Sequence, residues 1–107
     1  MEARAQKLQR EIADLEERRE VNLEVNAAMI AARIDAGGRG NQWDSDDAII
    51  AAGVEAGVAA APADQQAQVR ELLELHLEVR PTPPKLPTFA TAIRRRRKKL
   101  AKLGASE

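Results

Sequence analysis

The first part of the chain alternates single apolar positions with clusters of charged residues. Leu8, Ile12 and Leu15 recur at spacings of four and three residues, with charged side chains on both sides. This period matches one face of an α-helix, so residues 3–19 are predicted to form an amphipathic helix. Its apolar stripe either packs on the protein's own core or forms a seam between two copies.

The apolar pattern changes register beyond this first segment. Residues 20–25 alternate strictly between polar and apolar side chains, which is typical of a β-strand. Val21, Val25 and Met29 are also spaced by four residues, which fits a helix that continues with a rotated apolar face. We favour one long helix up to the following glycines, because residues 27–36 are strongly helix-forming and contain no breaker.

A glycine-rich segment then separates two helical patterns. Three of the four residues 37–40 are glycines, which predicts a helix C-cap and a flexible turn. Asp44 or Ser45 is the predicted N-cap of a second helix. Gly53 and Gly57, four residues apart, predict close packing of this helix against another one. The second helix covers residues 48–60, and its apolar face carries Ile49, Ile50, Val54 and Val58.

A third helix is predicted over residues 65–78, with Asp64 as its N-cap. Residues 73–80 also alternate strictly, which leaves open whether the end of this segment is helical or extended. Prolines at positions 81, 83, 84 and 87 then predict an extended spacer, and residues 88–103 a short basic helix. The apolar stripe of the third helix consists of Val69, Leu72, Leu73 and Leu77, and the anchors of the basic helix are Phe89, Ile93 and Leu100.

Together these elements predict a mainly α-helical fold with a long N-terminal helix, a glycine-rich turn and two further helices. Residues 1–80 are predicted to form a helical oligomerisation domain, and residues 81–107 a proline-spaced basic tail. Aromatic residues make up only 2% of the chain, so one copy lacks the large side chains that usually dominate core burial. Self-association is therefore expected. The predicted oligomer interface consists of Leu8, Ile12, Leu15, Met29, Ile50 and Val54.

A strong charge asymmetry lies behind the formal net charge of zero. Residues 1–80 contain 9 Lys or Arg against 16 Asp or Glu, whereas residues 81–107 contain 8 against 1. Six consecutive cations in the second segment favour a polyanionic partner, because binding releases condensed counterions. The predicted nucleic-acid-binding residues are Arg94, Arg95, Arg96, Arg97, Lys98, Lys99 and Lys102.

No aromatic residue lies among these cations in the sequence, so base stacking and sequence readout by the tail are not expected. An acidic protein surface, an anionic membrane and the protein's own acidic segment are alternative partners. A solvated tail without a specific partner is the remaining alternative.

Residues suited to catalysis are scarce. His76 is the single histidine, and the chain has neither Cys nor Tyr, so we predict no enzyme and no catalytic residue. Asp44, Asp46 and Asp47 lack the residue order of a calcium-binding loop, so no metal site and no cofactor are predicted. Trp43 is assigned to the core, with an exposed interface anchor as the alternative. The first residues lack a signal-peptide pattern and the uncharged runs are too short for a membrane span, which predicts a cytoplasmic protein.

One part of the pattern resembles a ribbon-helix-helix DNA-binding antitoxin. The resemblance rests on the alternation over residues 21–25, the following helix, the glycine turn and the helix that begins near Ser45. It implies a strand paired between two copies, with Glu20, Asn22 and Glu24 directed at the DNA major groove.

The layout as a whole is similar to small phage assembly proteins, including small terminase subunits, in which a helical oligomerisation domain precedes a tethered tail. This similarity implies a non-enzymatic adaptor in a nucleic-acid-handling assembly. Its tail would bind nucleic acid without sequence preference or dock on a partner protein. A structural protein-interaction module that binds no nucleic acid is a further alternative.

Overall fold

The structure, a computed structural model, describes residues 2–105. Within these residues the α-helices are α1 (Glu2–Asp35), α2 (Asp47–Ala60), α3 (Gln66–Val79) and α4 (Ala90–Ala105), and a 3₁₀ turn (Ala63–Gln65) precedes α3. No strand occurs in this part of the chain. The predicted mainly α-helical class is confirmed.

Both segments with strand-like alternation are helical. Residues 20–25 lie inside α1, and residues 73–79 form the last two turns of α3. Val25 of α1 and Leu73 of α3 are almost fully buried. The spacing of apolar residues by three and four, which fits a helix, therefore determines the structure of these segments rather than the alternation. Because residues 20–25 are helical, the strand implied by the ribbon-helix-helix resemblance does not form there.

The residues group into two compact units. The terminal unit consists of Met1–Glu20 and Pro87–Glu107, and the central unit consists of Val21–Leu86. Helix α1 therefore contributes its first part to the terminal unit and its remainder to the central unit. The functional boundary after residue 80 stays a prediction.

The central unit has an aliphatic core in which α1 and α2 approach closely. A Cβ atom on Gly57 would lie 2.6 Å from Cγ of Met29, and one on Gly53 would lie 3.3 Å from the Met29 carbonyl oxygen. Larger residues at these positions would force the packing to shift, so the two glycines permit the close approach. The core consists of Val25, Met29, Val54, Val58, Ala61, Val69, Leu73 and Leu86.

Asp44 organises the turn between α1 and α2. Its carboxylate accepts hydrogen bonds from the backbone N–H groups of Arg39 at 2.7 Å and Gly40 at 2.9 Å. It also accepts a hydrogen bond from Nε of Arg33 at 3.1 Å, which forms a buried ion pair. Gly37 and Gly40 have φ angles of +99° and +74°, a region that favours glycine. The turn is therefore held from its centre by one carboxylate.

Two of the predicted helix caps are wrong. Asp46, rather than Asp44 or Ser45, caps α2, since its Oδ1 accepts hydrogen bonds from two backbone N–H groups of the first turn. Asp44 does not cap α2, because its carboxylate oxygens accept the hydrogen bonds within the turn. Asp64 lies in the 3₁₀ turn, and α3 begins after Gln65 without a side-chain cap.

In the terminal unit, α1 and α4 share a small set of buried and paired side chains. Ile12 and Ile93 are buried. The guanidinium of Arg18 lies 4.8 Å from the centroid of the Phe89 ring, a cation–π contact. Phe89 precedes α4 with a φ angle of +57°, which is unusual for a bulky residue, and its carbonyl accepts a hydrogen bond from the Ile93 N–H at 2.9 Å.

Candidate nucleic-acid interface

The cations of α4 lie mainly on one side of the helix. At 3.6 residues per turn, five of them fall within an arc of about 140°. Ile93 and the half-buried Leu100 and Leu103 lie on the other side. The helix is therefore amphipathic, with a cationic outer face. The five cations of this face are Arg94, Arg95, Lys98, Lys99 and Lys102.

A groove of about 650 Å³ in the terminal unit is lined by α4 and by the first turns of α1. Among the described residues, the lining contains six cations and one carboxylate, together with two leucines that provide an apolar part. Such a concentration of positive charge attracts anions, and several Arg and Lys side chains together match the repeated phosphates of a polyanion. The cations are Arg4, Lys7, Arg95, Arg96, Lys99 and Lys102, the carboxylate is Glu11, and the leucines are Leu8 and Leu103.

Ion pairs connect α4 to α1 beside this groove. Nε of Arg96 donates a hydrogen bond to Oε2 of Glu11 at 2.9 Å, and Arg97 pairs with Glu16. Arg96 also donates from Nη1 to the carbonyl oxygen of Ala92 at 3.2 Å, which orients its guanidinium. These pairs connect two of the seven predicted cations to α1, and the five cations of the α4 cationic face are exposed.

The structure divides the seven predicted nucleic-acid-binding residues into two groups. Arg95, Arg96, Lys99 and Lys102 line the groove, whereas Arg94, Arg97 and Lys98 lie on α4 outside it. Arg4 and Lys7 also line the groove, and the sequence prediction does not include them because the charge count assigns the first 80 residues to an acidic segment. Their spacing of three residues on a predicted helix was the available signal for a shared basic face.

The residues predicted for the oligomer interface are mostly core residues. Ile12, Met29, Ile50 and Val54 are buried within one chain. Leu8 and Leu15 are half-buried. The four buried residues leave little surface for a contact between copies, and both the predicted interface and self-association stay predictions.

Trp43 is not part of the core, which corrects the preferred prediction. It is 69% exposed. Its side chain lines a groove of about 450 Å³ in the central unit, together with Ile30 of α1 and with Pro83 and Pro84 of the proline segment. The tryptophan therefore fits the alternative prediction of an exposed aromatic residue, which is the typical form of an interface anchor.

The single histidine of the sequence lies outside the basic groove of the terminal unit. His76 lies near the end of α3, with Nε2 at 3.3 Å from Oγ1 of Thr82. Among the described residues, no cluster of three or more His, Cys, Asp or Glu side chains is arranged to hold a metal ion. In residues 2–105, no helix combines the length and the apolar character that a membrane span requires.

Comparisons with protein-family profiles, with characterised proteins and with solved structures give no match to this chain.

Proposed function

We propose that this protein is a small, non-enzymatic, self-associating helical adaptor that binds nucleic acid through its basic groove and the cationic face of α4. The observation that carries the proposal is the groove in the terminal unit, whose described lining contains six cations and one carboxylate. Phosphate groups are the natural ligand for such a lining, because Arg and Lys bind them through charge-assisted hydrogen bonds.

The binding is expected to be independent of nucleotide sequence. The lining of the groove contains Arg, Lys, Leu and Glu, and none of these residues is an aromatic platform for base stacking. Contacts to phosphates position a protein on nucleic acid but carry no direct sequence information. The role that follows is attachment to nucleic acid within a larger assembly. The layout of the chain resembles that of small phage proteins that take part in DNA packaging.

The affinity for nucleic acid is expected to fall steeply as the salt concentration rises. The described residues that line the groove carry a formal excess of five positive charges, so about five phosphates are expected to be neutralised, with a slope of about −4.5 for log affinity against log salt. A fourfold rise in salt concentration then lowers the affinity by about 500-fold. Fluorescence anisotropy with a labelled duplex of arbitrary sequence measures this slope, and a second duplex of unrelated sequence tests the lack of preference.

Paired triple variants test where the nucleic acid binds. Arg95→Gln, Lys99→Gln and Lys102→Gln remove three groove cations, which is expected to reduce the salt slope by about three. The control replaces the exposed Arg39, Arg80 and Lys85 of the central unit by Gln and changes the net charge equally. Control binding should match that of the unmodified protein. Equal effects of the two triple variants, or selective binding of one duplex, would overturn the proposal.

A further inference from the structure

We propose that the basic groove of the terminal unit also binds α3 of a second copy of this protein, so that self-association and nucleic acid compete for the same cations. The lining of the groove is rich in Arg and Lys and contains two leucines. A protein ligand that fits it presents carboxylates beside apolar side chains. Helix α3 of this chain has such a surface.

The outer surface of α3 carries two neighbouring lines of side chains. Three exposed glutamates follow one another at spacings of three and four residues, which places them in one line along the helix. Three apolar residues have the same spacings one position further on and are 48%, 54% and 73% exposed. The glutamates are Glu71, Glu74 and Glu78, the apolar residues are Leu72, Leu75 and Val79, and the six are called the acidic α3 face below.

The acidic α3 face keeps a net negative charge although a cation lies near it. The guanidinium of Arg70 donates hydrogen bonds to the Glu55 carboxylate of α2 at 3.0 and 2.8 Å. Its distance to the Glu74 carboxylate is longer, at 3.9 Å. Because Arg70 is shared between these two carboxylates, it offsets only part of the charge of three glutamates, and a cationic surface is still attracted.

The cations of the groove have the spacing of these glutamates in reverse order. Arg95, Lys99 and Lys102 are exposed, line the groove and follow one another at spacings of four and three residues on α4. When α3 lies antiparallel to α4, residues 102, 99 and 95 run alongside the three glutamates, with steps of about 4.5 and 6 Å in both helices. Each glutamate then faces one cation, and such ion pairs between helices determine which helices pair and in which orientation.

The apolar side chains of the two surfaces match in the same orientation. In antiparallel helices, the positions one residue further along each chain lie on the same side of the contact. Leu72 therefore lies beside Leu103, and Leu75 beside Leu100, when the glutamates face the cations. Leu100 and Leu103 are half-buried, so part of their apolar surface is open to such a contact.

The two matching surfaces belong to the same sequence, which favours a second copy as the partner. The net charge is positive in the terminal unit and negative in the central unit, so copies attract when these two units of different copies meet. A contact between two different surfaces of one chain is heterologous and allows further copies to add. Pairing of like surfaces would instead bring glutamates against glutamates or cations against cations.

The competition with nucleic acid rests on the proposed function, whereas the contact between copies does not. Self-association without DNA binding would leave the contact in place and remove the nucleic-acid part of the proposed function. DNA binding that is indifferent to the acidic α3 face would leave the proposed function in place and overturn the competition.

Two triple variants with the same net charge test the acidic α3 face. Each variant neutralises three exposed carboxylates of the central unit, and only the first lies on the acidic α3 face. The α3 variant combines Glu71→Gln, Glu74→Gln and Glu78→Gln. The matched control variant combines Glu24→Gln, Asp35→Asn and Asp64→Asn. Circular dichroism verifies that both remain helical.

Sedimentation equilibrium without nucleic acid measures the contact. The chain mass is 11.7 kDa, and at low salt we expect the average mass to rise above this value with concentration and to fall when salt is added. The α3 variant should raise the dissociation constant at least about tenfold, because three ion pairs are lost. The matched control variant should associate like the unmodified protein. A monomer at all concentrations, or equal effects of the two variants, would overturn the contact.

A mixing experiment distinguishes a second copy from docking of α3 on the groove of its own chain. The groove variant combines Arg95→Gln, Lys99→Gln and Lys102→Gln. The α3 variant and the groove variant should each be monomeric alone. Their mixture retains one intact acidic α3 face and one intact groove, so it should form a one-to-one complex and nothing larger. A mixture that stays monomeric would overturn the contact between copies.

Anisotropy with the labelled duplex measures the competition. At a protein concentration at which the unmodified protein self-associates, the α3 variant should bind the duplex severalfold more tightly than the matched control variant. Both variants have lost three negative charges, but only the α3 variant has lost the competing helix surface. Equal affinities of the two variants for the duplex would overturn the competition.

Discussion

At the scale of single residues, Asp44 shows how one buried carboxylate determines a local structure. The hydrogen bond from the backbone N–H of Arg39 lowers the pKa of Asp44 below its ordinary value of 3.8. Burial opposes this effect, whereas the hydrogen bonds from Arg33 and Gly40 and the charge of Arg33 lower the pKa further. A lowered pKa in the folded state means that ionised Asp44 stabilises the fold.

The stabilisation by Asp44 is complete above pH 3.8 and is lost as the pH falls through the lower pKa of the folded state. We therefore expect Asp44→Asn to lower the Tm near neutral pH, with a difference from the unmodified protein that shrinks in acid. Thermal unfolding followed by circular dichroism across this pH range measures both effects. Asp64→Asn, at an exposed position of the 3₁₀ turn, is the control. A Tm difference for Asp44→Asn that stays constant with pH would contradict this role.

The role of Asp44 could not be predicted from local sequence. Asp44, Ser45 and Asp46 all precede a helix, and each is a favourable N-cap by residue type. The choice is decided by Arg33, which lies 11 residues earlier and pairs with Asp44 inside the turn. The exposure of Trp43 has a similar origin, because the aliphatic core is filled by other residues and residue type alone does not show this.

At the scale of helices, periodicity predicted the helical elements well because their apolar residues recur at spacings of three and four. It did not show which side of α1 faces the core, since one line contains Val25 and Met29 and another contains Ile30 and Ile34. The structure buries the first line against α2 and α3 and exposes the second. Gly53 and Gly57 give the missing information, because they are the positions on α2 that allow close contact with the first line.

The ion pair between Glu11 of α1 and Arg96 of α4 allows a test of whether the groove binds DNA or whether the pair only stabilises the fold. Glu11 is the carboxylate that lines the groove, and its pair with Arg96 is about one-third exposed on both sides. Glu11→Gln should therefore increase the affinity for DNA severalfold and make its salt dependence steeper, because a negative charge is removed from the site. The cost in stability should be only about 0.2–1 kcal/mol, as for other exposed pairs.

Glu16→Gln is the matched control for this experiment. Glu16 pairs with Arg97, which lies outside the groove, and the substitution changes the net charge equally. DNA affinity measured by anisotropy should rise more for Glu11→Gln than for Glu16→Gln, while chemical denaturation should show similar small losses of stability. Equal gains in affinity would indicate that net charge, rather than the groove, governs binding.

At the scale of the whole molecule, the neutral net charge results from two units of opposite sign. The terminal unit contains 12 Lys or Arg against 7 Asp or Glu, a net of +5, and the central unit contains 5 against 10, a net of −5. Counting along the sequence had placed this boundary at residue 80, because it assigned the start of α1 to the acidic part. Grouping by contacts instead joins Arg4 and Lys7 with the cations of α4.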